Sequence, residues 1–478
     1  MIVDRVAGTT RAARPRRLPI PMAILGMALL ASAGSYIAAG LTADPTSRGG
    51  PTAPPSRVVL QVPGDAPPVS GANADGRMAL PDRIAFWSRR VTEQPSDFLS
   101  YIQLALTWSE QGRLRVDLNA YQRAATAADR AIELAPAYPQ ALAVRASIRF
   151  ATHDFAGAEV DARAALKVSP SDPSALSILG DTLIELGRID EAAATYDRLA
   201  PIAAGPAFDI RQARLAFVRG SLSPAVDLAR KALIGASGGG AAGAEATSPT
   251  ELGFYHFALG EYARLAGDAP LAREQFGAAL ALRPDDIGAL VGAARIDAFD
   301  GDLDAAIGEL QHATAIAPTP EAEGLLADLL NARGAPGDLA AARVADGTVR
   351  LTGQLSAIAG TVFDRVLIQY DLDHGMTREE TVDRARAALA IRGDAGGHDL
   401  LAWALHRLGR DDEAWAESQG ALTMGAADAR TMFHAGAIAA SRGDGPEAGR
   451  LLKAALALGP ALDPAARDEA AAILAILR

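Results

Sequence analysis

The 478-residue chain has no cysteine, which excludes a disulfide framework, thiolate metal sites, a cysteine nucleophile and a lipid-modified cysteine anchor. Lysine is almost as scarce: Lys167, Lys231 and Lys453 are the whole supply. Positive charge is therefore nearly all arginine, spread along an Ala- and Gly-rich chain as a compositional habit. The chain also lacks a Gly-Lys-Ser/Thr phosphate loop and a Gly-x-Ser-x-Gly elbow, so two common routes to catalysis are missing. What it has is 49% hydrophobic and 22% charged residues, enough apolar surface to fold. Its length exceeds what one core supports, which leaves several domains or a row of small repeated units.

Charge changes sign along the sequence. Residues 1–81 carry eight Arg against four Asp, and the remainder carries 38 basic against 53 acidic residues. A body that acidic repels phosphate backbones, so nucleic acid is not an expected partner.

At the N-terminus, residues 1–17 form a basic stretch with Arg5, Arg11, Arg14, Arg16 and Arg17, followed by an uncharged run over 18–41. The run is long enough to cross a bilayer, with the Arg cluster kept in the cytoplasm. A cleaved signal peptide is the competing reading, since Ala31-Ser32-Ala33 and Ala38-Ala39-Gly40 each offer small residues at a cut site. Both readings export the body: either anchored at the cytoplasmic membrane with its folded part outside, or secreted or periplasmic. Residues 42–81 hold eight Pro and five Gly and read as a disordered, extended linker.

Beyond that, an all-α pattern recurs with a 34-residue step, in segments beginning at 139, 173, 253, 287, 321, 395 and 429. Each unit has two apolar stripes at helical spacing, separated by a Gly such as Gly187, Gly267, Gly301, Gly409 or Gly443, and so predicts helix, turn, helix. Close approach of the two helices requires small contact residues. Gly180, Gly260, Ala294, Ala402 and Gly436 supply them on the first helix, and Ala158, Ala192, Ala272, Ala306, Ala414 and Ala448 on the second. Larger groups such as Leu179, Tyr196, Phe276, Leu310, Leu401 and Leu452 fill the space between pairs. Pro136, Pro170, Pro284, Pro318 and Pro460 mark the corners into the next unit.

With small residues at places 8, 20 and 27 and Pro at place 32, these units resemble the tetratricopeptide repeat. The resemblance covers about 83–478, and residues 400–405 and 433–436 are similar to the last repeats of exported bacterial members. It implies an α-solenoid of about ten stacked helix-turn-helix units: a first block over 82–233, a Gly-rich insertion at 234–249 that divides the array, a second block over 250–345, a third over 346–462 with an irregular start, and a capping helix over 463–478. The family's clamp for chaperone tails is absent, since Ala143 and Ser147 stand where its Lys and Asn belong.

The first helices of such a solenoid line a concave face. Places 2, 5, 9, 12 and 13 put Phe208, Arg211, Arg219, Phe254, Phe257, Glu261, Arg264, Arg295, Phe299, Trp403, His406, Arg407 and Phe433 there. Aromatic pockets with guanidinium donors hold peptides, so the expected function is non-enzymatic: a scaffold or adaptor of the bacterial cell envelope that binds protein or peptide partners and needs no cofactor. The alternative is a metal or small-ligand protein built on His398, His406 and His434, although the eight-residue spacing of the first two suits a metal poorly. Asp371, Asp373 and His374 read as helix caps, and Glu379-Glu380 as favouring the start of the next helix.

Overall fold

A computed structural model of the chain describes residues 78–115, 117–238, 247–359 and 364–477. The basic N-terminus, the apolar run 18–41 and nearly all of the Pro/Gly-rich linker lie outside the described residues. Within them, no helix is long and apolar enough to cross a membrane.

After α1 (Leu80–Glu93), ten antiparallel helix pairs follow in chain order. They are α2 (Phe98–Arg115) with α3 (Leu118–Leu134), α4 (Pro139–Ala151) with α5 (Phe155–Val168), α6 (Pro173–Glu185) with α7 (Ile189–Leu199), and α8 (Pro206–Val218) with α9 (Leu222–Ser237). Next come α10 (Pro249–Leu265) with α11 (Ala269–Leu282), α12 (Ile287–Asp300) with α13 (Leu303–Ile316), and α14 (Pro320–Arg333) with α15 (Asp338–Ala359). The last pairs are α16 (Asp364–Asp373) with α17 (Glu379–Ile391), α18 (Ala395–Arg407) with α19 (Asp411–Thr423), and α20 (Ala429–Ser441) with α21 (Gly445–Ala457). A short 3-10 turn at Gly459–Ala461 leads to the final helix, α22 (Pro464–Ile476). The unit starts read from the sequence at 139, 173, 287, 395 and 429 coincide with helix starts.

Local chemistry explains the boundaries. Asp117, Asp154, Asp172 and Asp268 each accept the backbone N–H three residues on, satisfying a donor that the first turn leaves unpaired. Pro139, Pro173 and Pro249 occupy the first turn, where a missing N–H costs nothing. Between paired helices, Gly187, Gly267, Gly409 and Gly443 adopt positive φ, a conformation closed to most residues.

Within each pair, a small residue on one helix admits a large one from the other. A Cβ on Gly260 would lie 2.9 Å from the Phe276 ring, and one on Gly436 would lie 2.8 Å from Leu452. Gly180 in the same way leaves room for Tyr196. The three large side chains are fully buried, so this fit adds to the apolar gain of those pairs. Pairs are also tied to one another by arginines reaching back about one unit: Arg211 Nε to Asp181 Oδ2 at 3.1 Å, and Arg219 Nη2 to Asp190 Oδ1 at 3.2 Å.

The Gly-rich insertion does not divide the core. One apolar cluster joins Ile210, Ala225, Leu233, Phe254 and Leu259, so α8 and α9 pack directly against α10 across it. The expected cap is present: Ala470 is buried, and Ile473, Leu474 and Leu477 pack on the cluster of the last pairs.

The superhelix meets itself. The turn at Gly187 abuts the backbone of Gly393, the turn at Gly220 abuts that of Gly425, and a Cβ on Gly267 would lie 3.2 Å from Cα of Leu458. The third, fourth and fifth pairs thus touch the connections that follow the eighth, ninth and tenth.

Candidate functional site

The first helices of the pairs face the superhelix axis, where they enclose a cavity of about 670 Å3. Its apolar wall includes Leu114, Phe217, Val218, Phe254, Phe257 and Tyr262, and its polar wall includes Arg113, Arg283, Asp286, Asp328, His374, Arg430 and Asp463. Eight Arg face eleven Asp and Glu in the full lining, so the lumen carries no excess positive charge to draw a polyphosphate.

Most of these charges are paired, and two clusters hold the far parts of the chain together. In the first, the fully buried Glu185 of α6 accepts from Arg214 of α8 and from Arg392, which lies between α17 and α18. Burial pushes the Glu185 carboxyl up, and the two guanidiniums overcome it and hold the group below its ordinary value. In the second, Asp463 takes Arg295 Nε at 3.2 Å and Arg430 Nη2 at 3.8 Å. Arg295 also pairs with Glu321 at 2.8 Å. Here too the arginines override burial and keep the carboxylate charged.

Arg113 is different. It lines the cavity, and among the described residues no carboxylate forms an ion pair with it. Burial pulls its guanidinium below the ordinary value and Arg283 adds to this, while Tyr121, Glu110 and Asp286 offset part of the shift through space. A half-buried cation with no ion-pair partner among the described residues gains from any anion placed beside it.

A network on the opposite chemistry surrounds His374. Its Nδ1 lies 2.7 Å from the Tyr370 carbonyl oxygen and its Nε2 2.8 Å from Asp328. Both neighbours only accept, so both ring nitrogens donate and the ring is an imidazolium. Burial pulls its pKa down, but the Asp328 contact prevails and raises it to about 9. The folded value lies above the ordinary 6.5, so this stabilisation is full below about pH 6.5 and is lost as pH rises through about 9. In urea titrations, the wild type is expected to lose its advantage over His374→Gln across that interval. An advantage that stays constant to pH 10 would refute the assignment.

The sequence-derived site residues divide into two groups. Phe254, Phe257, Glu261, Arg264 and Arg295 line the cavity. The other eight stand elsewhere. Arg211 is 4% exposed and paired with Asp181, and Trp403 and Phe433 are buried among the last pairs. Phe208 packs on the core of the early pairs, and Arg219 reaches Asp190. Phe299 lies under the guanidinium of Arg467, with 4.9 Å to the ring centroid. His406 stacks on Trp403 at 5.0 Å, and Arg407 lies over the same ring at 4.5 Å. The physical reason is that inward-facing places on a first helix serve either the axis or the next first helix, and spacing alone does not separate the two.

The histidine alternative is not assembled either. His398 bonds Glu417 at 2.7 Å, His406 bonds Asp411 at 2.6 Å, and His434 bonds Asp399 at 3.0 Å. Among the described residues no group of three or more His, Cys, Asp or Glu is arranged to hold a metal. Asp371 does not cap a helix but pairs with Arg384 of α17, whereas His374 does bond a last-turn carbonyl of α16, that of Tyr370, and in addition pairs with Asp328 of α14. Sequence reasoning did not single out Arg113, Glu185, Arg392 or Asp463. The contacts of Arg392 with Glu185 and of Asp463 with Arg295 span 207 and 168 residues, far outside the repeat period, and only a buried charge inside an otherwise apolar stripe, as at Glu185, hints at them.

Residues 149–215 match the tetratricopeptide repeat family model, and the ten helix pairs agree with a protein of that type. No curated protein sequence matches the chain. Among solved structures, the human IFIT1 dimer with PPP-AAAA is 17% identical, covering 69% of this chain and 73% of its own, with a TM-score of 0.42. PilW, a type IV pilus biogenesis factor, is 18% identical over 46% of this chain and 93% of its own, with a TM-score of 0.35. YrrB, described as having an unusual peptide-binding site, is 17% identical over 48% of this chain and 92% of its own, with a TM-score of 0.22. Likenesses this distant assign no ligand.

Proposed function

We propose that this chain is a non-catalytic interaction scaffold that receives a segment of a partner protein in its axial cavity. The observation that carries the reading is the unpaired Arg113 on the wall of a cavity that also presents Phe254, Phe257 and Tyr262. A peptide fits this surface because its side chains fill apolar recesses while a carboxylate or backbone carbonyl takes the guanidinium. The excess of acidic over basic groups in the wall argues against nucleic acid.

Capture from native cells on the full chain is expected to recover a partner that Arg113→Glu loses, with helicity unchanged by circular dichroism. Equal recovery by both proteins would end the reading. The same proposal places the scaffold at a bacterial cell envelope, with residues 18–41 as an anchor or export signal. The support is the Arg-rich stretch followed by an uncharged run, and the intact mass of the protein extracted from membranes tests it.

A further inference from the structure

Asp463 stands directly before α22, where other aspartates of this chain cap their helices. Unlike Asp117, Asp154, Asp172 and Asp268, it makes no cap bond. Forgoing a cap leaves a first-turn N–H without its usual side-chain acceptor, and the carboxylate is committed instead to Arg295 on α12, 3.2 Å away. Three residues earlier, the carbonyl of Pro460 accepts from Arg264 Nη1 on α10 at 3.1 Å. Arg264 is held for this by a two-pronged bond to Glu261, at 2.9 and 2.6 Å. Gly459 lies so close to Phe299 of α12 that a Cβ would stand 3.1 Å from the ring.

A backbone carbonyl on a fixed guanidinium, a carboxylate on a second and a small residue against an aromatic face together describe a bound peptide. The occupant belongs to the same chain, about two hundred residues away in sequence from Arg264 and joined to it by folding alone. We infer that the α10–α12 face is a peptide site held in cis by residues 459–463, and that it takes in trans a partner segment of the same chemistry: a small residue and proline, then small and apolar residues ending in an acid.

The occupant is part of a larger body. Leu462 and Ala470 belong to an apolar cluster drawn from α16 to α22, together with Trp403 and Phe433. That block has its own core, so the contacts of residues 459–463 with α10 and α12 can be exchanged for those of another peptide only where the seam gives way. Its seam with α10 and α12 combines the Arg264 and Arg295 contacts with packing of Gly459 and Arg467 on Phe299, and Asp463 remains about a third accessible, so water reaches the ion pair. The inference rests on the proposed scaffold reading for its use in the cell, but its test needs no cellular partner.

The probe is a fluorescein-labelled peptide of residues 457–468, read by anisotropy against the full chain. Asp463→Asn in the protein weakens the internal occupant and is expected to tighten peptide binding about tenfold, the equivalent of one charged hydrogen bond. Adding Arg295→Gln to that variant is expected to abolish the gain, as is the same Asp-to-Asn change in the peptide. A second measurement covers a variant that does not fold: millimolar peptide added to the wild type is expected to speed amide exchange at Leu462 and Asp463. Tighter binding by a folded Asp463→Asn chain supports the inference, and where that variant does not fold, faster exchange in the wild type does. If a folded Asp463→Asn chain binds no better than the wild type, or if the variant does not fold and exchange in the wild type is unmoved, residues 459–463 are a fixed brace and the inference is overturned.

Discussion

Replacing Glu185 by alanine is expected to destabilise the folded chain by about 3–5 kcal/mol, the usual result of leaving buried partners uncompensated. The carboxylate is 2% exposed and receives both Arg214 and Arg392, so its removal strands two guanidiniums where water reaches them poorly. Urea unfolding at pH 7 measures the loss. Small-angle scattering is expected to show expansion as well, because Arg392 also reaches the Glu185 carbonyl oxygen at 3.3 Å across the seam of the superhelix. A loss below 1 kcal/mol without expansion would contradict the role given to this cluster. The acid limb of stability supplies an independent check. Since the folded carboxyl lies below its ordinary 4.5, its contribution is present above that value and disappears as pH falls through the lower one. The alanine variant is expected to lack that part of the acid dependence.

The second large effect concerns Trp403, which is fully buried. His434 stacks on its ring at 4.1 Å and 12°, His406 at 5.0 Å, and Phe433 lies 5.5 Å away at a tilt. Truncation to alanine is expected to cost about 3–5 kcal/mol, from lost transfer energy and the cavity left behind. Trp403→Phe is expected to cost much less. The indole N–H is buried without a hydrogen-bond partner among the described residues, so phenylalanine removes an unsatisfied donor while retaining most of the apolar area. Urea midpoints of the two variants decide the matter, and equal losses would show that the indole shape itself is required.

The helix pairs were legible because their cause is local. A small residue, glycine or alanine, facing a large one, as Gly260 faces Phe276, recurs along the array and needs no knowledge of the rest of the chain. The cavity was legible only in outline. Spacing put Phe254, Phe257, Glu261, Arg264 and Arg295 on the concave side, and these line the cavity; by the same rule it assigned Arg211, whose Asp181 partner on the previous first helix buries it. The seam was not legible at all. Arg392 finds Glu185 at a separation of 207 residues, a distance set by how far the stack curves per unit, and a repeat pattern does not state that curvature. Glycines of ordinary appearance, Gly187 and Gly220, mark the seam only once the opposing backbones are in place.

A stack of this kind ordinarily gains or loses a unit cheaply, because each contacts only its neighbours. Here the turns at Gly187, Gly220 and Gly267 meet three later connections in matched order. One unit duplicated between α13 and α14 would carry every later connection past its mate, and one deleted would leave each short. The number of units between the two edges is therefore fixed by geometry, and growth of this array by tandem duplication is confined to its two ends.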